Sequence, residues 1–142
     1  MVDLSQHNLS PTVVWSKGRV SQVLKTWQKR LGQQHWRVNV IWDDALLDSD
    51  TTSAMLKMST DYDDATLILS HSIQRMGVKE MNVTILHEVI HLALNDLSFF
   101  AEMLDGHLHR DIDSMLRIQW SHDVERVTDR LAWSLVKQWG VV

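Results

Sequence analysis

Ile85-Leu86-His87-Glu88-Val89-Ile90-His91-Leu92-Ala93 is the stretch on which the reading of this chain turns. His87 and His91 stand four residues apart, so on an α-helix their imidazoles leave the same face and can meet at one metal ion. Glu88 follows His87 at about 100° around the axis, near enough to reach a water on that metal without being a ligand. Zinc held by three protein groups brings the pKa of its water to about 7, and a neighbouring carboxylate can then take the proton.

The rest of the helix, expected over residues 81–97, sharpens the point. Thr84, His87, Glu88, His91 and Asn95 share one polar stripe about 100° wide. Val83, Ile85, Leu86, Val89, Ile90, Leu92, Ala93, Leu94 and Leu97 cover most of the remainder, so the helix should be buried nearly all round. The plain alternative is a core helix whose histidines are merely hydrogen-bonded, since short patterns arise by accident. It leaves unexplained why both imidazoles and the carboxylate fall on the polar stripe.

A catalytic zinc needs a third protein ligand. The chain has no cysteine, so thiolate sites and disulfides are excluded and any transition metal must rest on imidazole and carboxylate. On a helical wheel of the last helix, Val124, Val127, Leu131, Ala132, Leu135, Val136 and Trp139 form the apolar face. Glu125 falls inside it and Asp129 beside it, while Arg126, Arg130 and Lys137 point away. A carboxylate turned toward a core is costly unless a cation meets it. Glu125 is therefore the expected third ligand, and Asp129, one turn on, could orient a ligating imidazole through its free N–H. An arginine salt bridge is the ordinary alternative for Glu125. His107 and His109 stay open as competing ligands, or as substrate contacts. His7, His35 and His71 have no partner at metal spacing and read as solvated surface.

Working outward, the chain's 142 residues suit one domain, residues 1–142, and such a domain hides about 70% of its unfolded surface. Residues 1–16 read as an irregular arm. Val20, Val23, Leu24, Trp27 and Leu31 recur at helical spacing from Gly18 to Leu31, with Gly32 as the stop. Trp36–Trp42 alternates as a strand, residues 43–52 form a loop, and Ala54–Ser59 and Ala65–Leu69 are two more strands around the turn-like 61–64. Phe99–Met103 and Ile112–Trp120 look like short helical pieces around Gly106. Ser121 is the expected N-cap of a final helix ending near Trp139. Helix, three strands, then helices predicts an α+β domain with a three-stranded sheet packed on the His87/His91 helix. Ala65–Leu69 is the expected edge strand lining the cleft, open to an extended peptide by strand addition.

A net charge of −4 gives no electrostatic reason to expect nucleic acid or an anionic membrane as partner. Lys25, Lys29 and Arg30 read as a solvated helix face. Residues 1–15 lack a basic start and apolar run, and no stretch nears the ~18 apolar residues of a membrane span. A cytoplasmic location is expected. Oligomeric state is not legible.

His87-Glu88-Val89-Ile90-His91, with Glu125, Asp129 and Ala132 downstream, resembles the gluzincin zinc metallopeptidases, and the layout over residues 36–139 resembles minimal metallopeptidase domains of phages and prophages. The resemblance implies a zincin-like fold, Zn2+ on His87, His91 and Glu125, Glu88 as general base, and support from Asp129. It implies a peptide or protein substrate. Metzincins are disfavoured, because Leu94 and Leu97 stand where they need glycine and a third histidine. Two alternatives remain: a SprT-like protease with His107 as third ligand, and a non-catalytic zinc-binding interaction domain. For stabilising a tetrahedral intermediate, Tyr62, His107, His109 and His122 are the candidates.

Overall fold

The computed structural model describes residues 13–59, 62–95 and 110–142, with backbone only at 110–113. The fold is a small α+β arrangement of a three-stranded sheet and three helices: α1 (Lys17–Arg30), β1 (Arg37–Trp42), β2 (Ala54–Met58), β3 (Asp64–Leu69), α2 (Val78–Ala93) and α3 (Arg110–Trp139). Residues 1–12 of the expected arm, the expected helical piece 99–103, Gly106, His107 and His109 lie outside the described residues.

α1 starts where Ser16 accepts a hydrogen bond from the Arg19 N–H and ends at Leu31, with Gly32 in the left-handed region at φ 67°. The segment before it is irregular, as expected, but it is not loose. Trp15 is fully buried, its Nε1 donates to the Met76 carbonyl at 2.7 Å and its backbone N to Gln74 at 2.8 Å. An indole can be buried only if its N–H finds such a partner.

β1 pairs parallel with β3 and β2 pairs antiparallel with β3, giving the order β1-β3-β2. Ala65–Leu69 is therefore the central strand, not the edge strand. Its composition suits that place: Ala65, Leu67 and Leu69 on one face and Ile68 on the other are all buried, as fits a strand with a neighbour on each side. Among the described residues, β2, which carries the exposed Lys57, is one edge of the sheet and β1 is the other.

Val40, Leu67 and Leu69 face a core shared with Val20, Leu24 and Trp27 of α1 and Ile85, Leu86 and Val89 of α2. α2 contacts α1, β2 and α3 and so sits at the centre of the molecule. Its burial follows from its composition, although Ala93 at its end is exposed. The helix begins at Val78, three residues earlier than expected.

The expected break at Ser121 is absent. α3 runs unbroken from Arg110 to Trp139, and Ser121 is exposed within it. No Gly or Pro interrupts that stretch, so nothing stops the backbone ladder from propagating. α3 also packs on a different stripe from the expected one. Thr128, Ala132 and Val136 are buried and Leu135 partly so, whereas Val127, Leu131 and Trp139 are 46%, 43% and 41% exposed. Among the described residues, no helix is long and apolar enough to cross a membrane.

Candidate metal centre

α2 presents His87 and His91 from consecutive turns toward α3, and α3 answers with Glu125 and Asp129. The rings of the two histidines lie 4.9 Å apart, with their Nε2 atoms at 3.1 Å. Glu125 spans both: Oε2 is 3.0 Å from His87 Nε2 and Oε1 is 2.9 Å from His91 Nε2. On the far side of the first ring, His87 Nδ1 lies 2.7 Å from Asp129 Oδ1. A carboxylate can only accept, so Nδ1 carries the proton and donates it to Asp129. That leaves the His87 Nε2 lone pair directed at the cluster when the ring is neutral.

Four acceptor-type atoms, two nitrogens and two oxygens, thus crowd together at contacts of 2.9–3.1 Å. Lone pairs at that distance repel unless a proton or a cation lies between them. Among the described residues, His87, His91 and Glu125 form the group of three whose ligand atoms all lie within 4.8 Å of one another. The donor set fits a borderline-soft divalent ion: two imidazole nitrogens and one carboxylate oxygen. Its spacings also fit, since zinc bonds of 2.0–2.1 Å in a tetrahedron place ligand atoms roughly 3.3 Å apart.

Burial is graded across the site. Side chains of His87 and His91 are 15% and 22% exposed, against 56% for Glu125 and 65% for Asp129. The expectation that Glu125 is turned into a core is therefore corrected: its side chain is more than half exposed and still reaches both histidines. On the helical wheel it falls between Ala132 and Val136, inside the stripe that Thr128, Ala132 and Val136 bury, but about one turn before Thr128. Desolvation holds His91 below the usual histidine range, which keeps its ring neutral and able to offer a lone pair.

Glu88 is 9% exposed and makes no hydrogen bond to any described residue. Burial, then the charges of Glu125 and Asp129, push its carboxyl up to about 8. At neutral pH and with no cation nearby, it holds a proton.

Compared with family models, curated proteins and solved structures, the chain matches none of them.

All four residues singled out around the motif, His87, His91, Glu125 and Asp129, come together. The alternative ligands His107 and His109 lie outside the described residues, so the geometry bears only on Glu125. Tyr62 is 69% exposed in the turn before β3, and His122 is exposed one turn before Glu125 on α3. His35 and His71 are exposed, as expected, although His71 Nδ1 pairs with Asp44 at 3.0 Å. Thr128 is a residue the sequence did not flag. It is fully buried on α3 between Glu125 and Ala132, and its hydroxyl has no hydrogen-bond partner. Its signal was a polar residue on the same side of the helix as Ala132 and one turn from it.

Proposed function

We propose that the chain is a zinc-dependent peptidase of the gluzincin kind, with His87, His91 and Glu125 as the ligands. The observation that carries this reading is the convergence of both Nε2 atoms on the two oxygens of Glu125 at 2.9–3.0 Å, with Asp129 on the remaining nitrogen of His87. A carboxylate behind a ligating imidazole fixes its tautomer and raises its basicity. The zincin-like character of the fold belongs to the same proposal. It is supported by a sheet, a motif-bearing helix and a ligand-bearing C-terminal helix in the expected order.

When bound, the ion supplies Lewis acidity, polarising a peptide carbonyl and acidifying water. The protein's own part falls to Glu88, which takes a proton from the attacking water and returns it to the leaving amine. A carboxyl whose pKa lies near the working pH is suited to both steps. A cation on the cluster would offset the influence of Glu125 and Asp129 and bring Glu88 down toward its basic form.

An extended peptide would add to β2 rather than to β3. Among the described residues β2 is an edge strand that contacts α2, and Leu92, next to His91, packs with Leu56 and Met58. Main-chain pairing there would lay the substrate beside the cluster.

The test is elemental analysis together with turnover of a quenched-fluorescent peptide library. Wild type is expected to carry one zinc and cleave. Glu125→Ala should lose the metal, and Glu88→Gln should keep it while losing turnover. Stoichiometric zinc without any cleavage would favour the non-catalytic binding domain. Loss of zinc in Glu88→Gln would contradict its role as base.

A further inference from the structure

Away from the cluster, a groove of about 900 Å3 is lined by α1 and by all three strands, and it reaches the outer face of the sheet, opposite Val40 and Leu67. Asn39, Thr66 and Lys57 lie in register across β1, β3 and β2, so their side chains share that outer face and form a polar floor. Lys17, Ser21 and Lys25 line the wall made by α1, which packs on β1. Lys57 stands on the opposite side, at roughly two strand spacings, or about 10 Å.

The groove's charge runs against that of the chain. The net charge is −4, yet among the described residues the groove is lined by Lys17, Lys25, Lys57 and Arg37 against one acid, Asp64. Arg37 is already spent on Asp64, through contacts of 2.7 and 3.1 Å. Among the described residues, the three lysines have neither ion-pair nor hydrogen-bond partner, and all three are exposed. Asn39, Thr66 and Ser21 likewise have no side-chain partner there.

We propose that this groove binds an acidic segment of extended polypeptide. The lysines are too far apart to close on one phosphate: Lys17 and Lys25 are eight helical residues, or about 12 Å, apart. That distance matches side chains four residues apart on an extended chain, about 13 Å. Carboxylates at such positions meet Lys17 and Lys25, and one from the other face meets Lys57. The amide of Asn39 and the hydroxyls of Thr66 and Ser21 can serve the peptide's own N–H and C=O groups. Single-stranded nucleic acid fits less well. The only aromatic residue in the lining is Trp36, 6% exposed, so no ring is offered for base stacking.

The proposal is independent of the metal chemistry, and EDTA in the assay keeps the two apart. The full chain is titrated into a fluorescein-labelled nonapeptide with glutamates four apart in a Ser/Thr background, read by anisotropy. The glutamate peptide should bind, a lysine counterpart should not, and binding should weaken with salt. Lys17→Glu, Lys25→Glu and Lys57→Glu should each weaken binding by about fivefold or more, the exposed-pair scale. These are exposed positions, so charge reversal leaves the core intact. Three results would overturn the proposal: no saturable binding by wild type, sensitivity to one wall alone, or tenfold tighter binding of an oligothymidylate of equal charge.

Discussion

Replacing Glu88 by Gln should stabilise the metal-free protein, and by more the higher the pH. The carboxyl is 9% exposed and is pushed from 4.5 up to about 8, by burial first and by Glu125 and Asp129 next. Its folded pKa therefore lies above its unfolded one. Between about pH 4.5 and 8 the native state holds a proton that the unfolded state has released, so stability falls as pH rises through that window. At 1.36 kcal/mol per unit, the cost of Glu88 is about 1 kcal/mol at pH 5, about 3 at pH 7 and about 4–5 at pH 9. Glutamine keeps the shape and removes the ionisation. Urea unfolding at pH 5, 7 and 9 in EDTA, followed by fluorescence of the seven tryptophans, measures the difference. The gap between variant and wild type should widen by about 4 kcal/mol from pH 5 to pH 9. Saturating zinc should narrow it at pH 9, because a cation relieves the repulsion. A gap constant to within about 1 kcal/mol over that range would refute the reasoning.

Two further perturbations test the same seam. Asp129→Asn should weaken zinc binding by about 10- to 100-fold in competition with a chromophoric chelator, because His87 loses the acceptor that fixes its tautomer; unchanged affinity would mean that the 2.7 Å contact does not support a ligand. Thr128→Val replaces a buried, unpartnered hydroxyl by an apolar group of the same shape, and should raise stability by about 1 kcal/mol. For a domain of this size that is roughly 3 °C in Tm by calorimetry, and a lower Tm would mean that the hydroxyl has a partner in solution.

How much of this was legible in the sequence depended on whether the information was local. The spacing of His87, Glu88 and His91 fixes their common face wherever a helix forms, and the apolar residues around them require that helix to be buried. The element types of α1, β1, β2, β3 and α2 followed from periodicity, with ends displaced by a few residues. α3 misled because Ser121 is a good cap only when the preceding turn is not already helical; with no Gly or Pro nearby, the longer ladder won.

Strand order was beyond reach, since period-two alternation says which face is buried and nothing about which neighbour a strand takes. Only the assembled sheet put β3 in the middle and left β2 as the edge that contacts α2. Glu125 is the most instructive case. The sequence singled it out by supposing it buried, yet its side chain is 56% exposed and still bridges both histidines. A wheel fixes angles within one helix, and Glu125 shares its angle with the buried Ala132 and Val136, but it says nothing of how closely α3 approaches α2 at each turn. By itself, then, the sequence determined the two imidazoles and the carboxylate between them, because two consecutive helical turns are enough to place them. Where the fourth group, Glu125, would stand, and how wet it would be, depended on a contact between residues more than thirty positions apart, which no local pattern encodes.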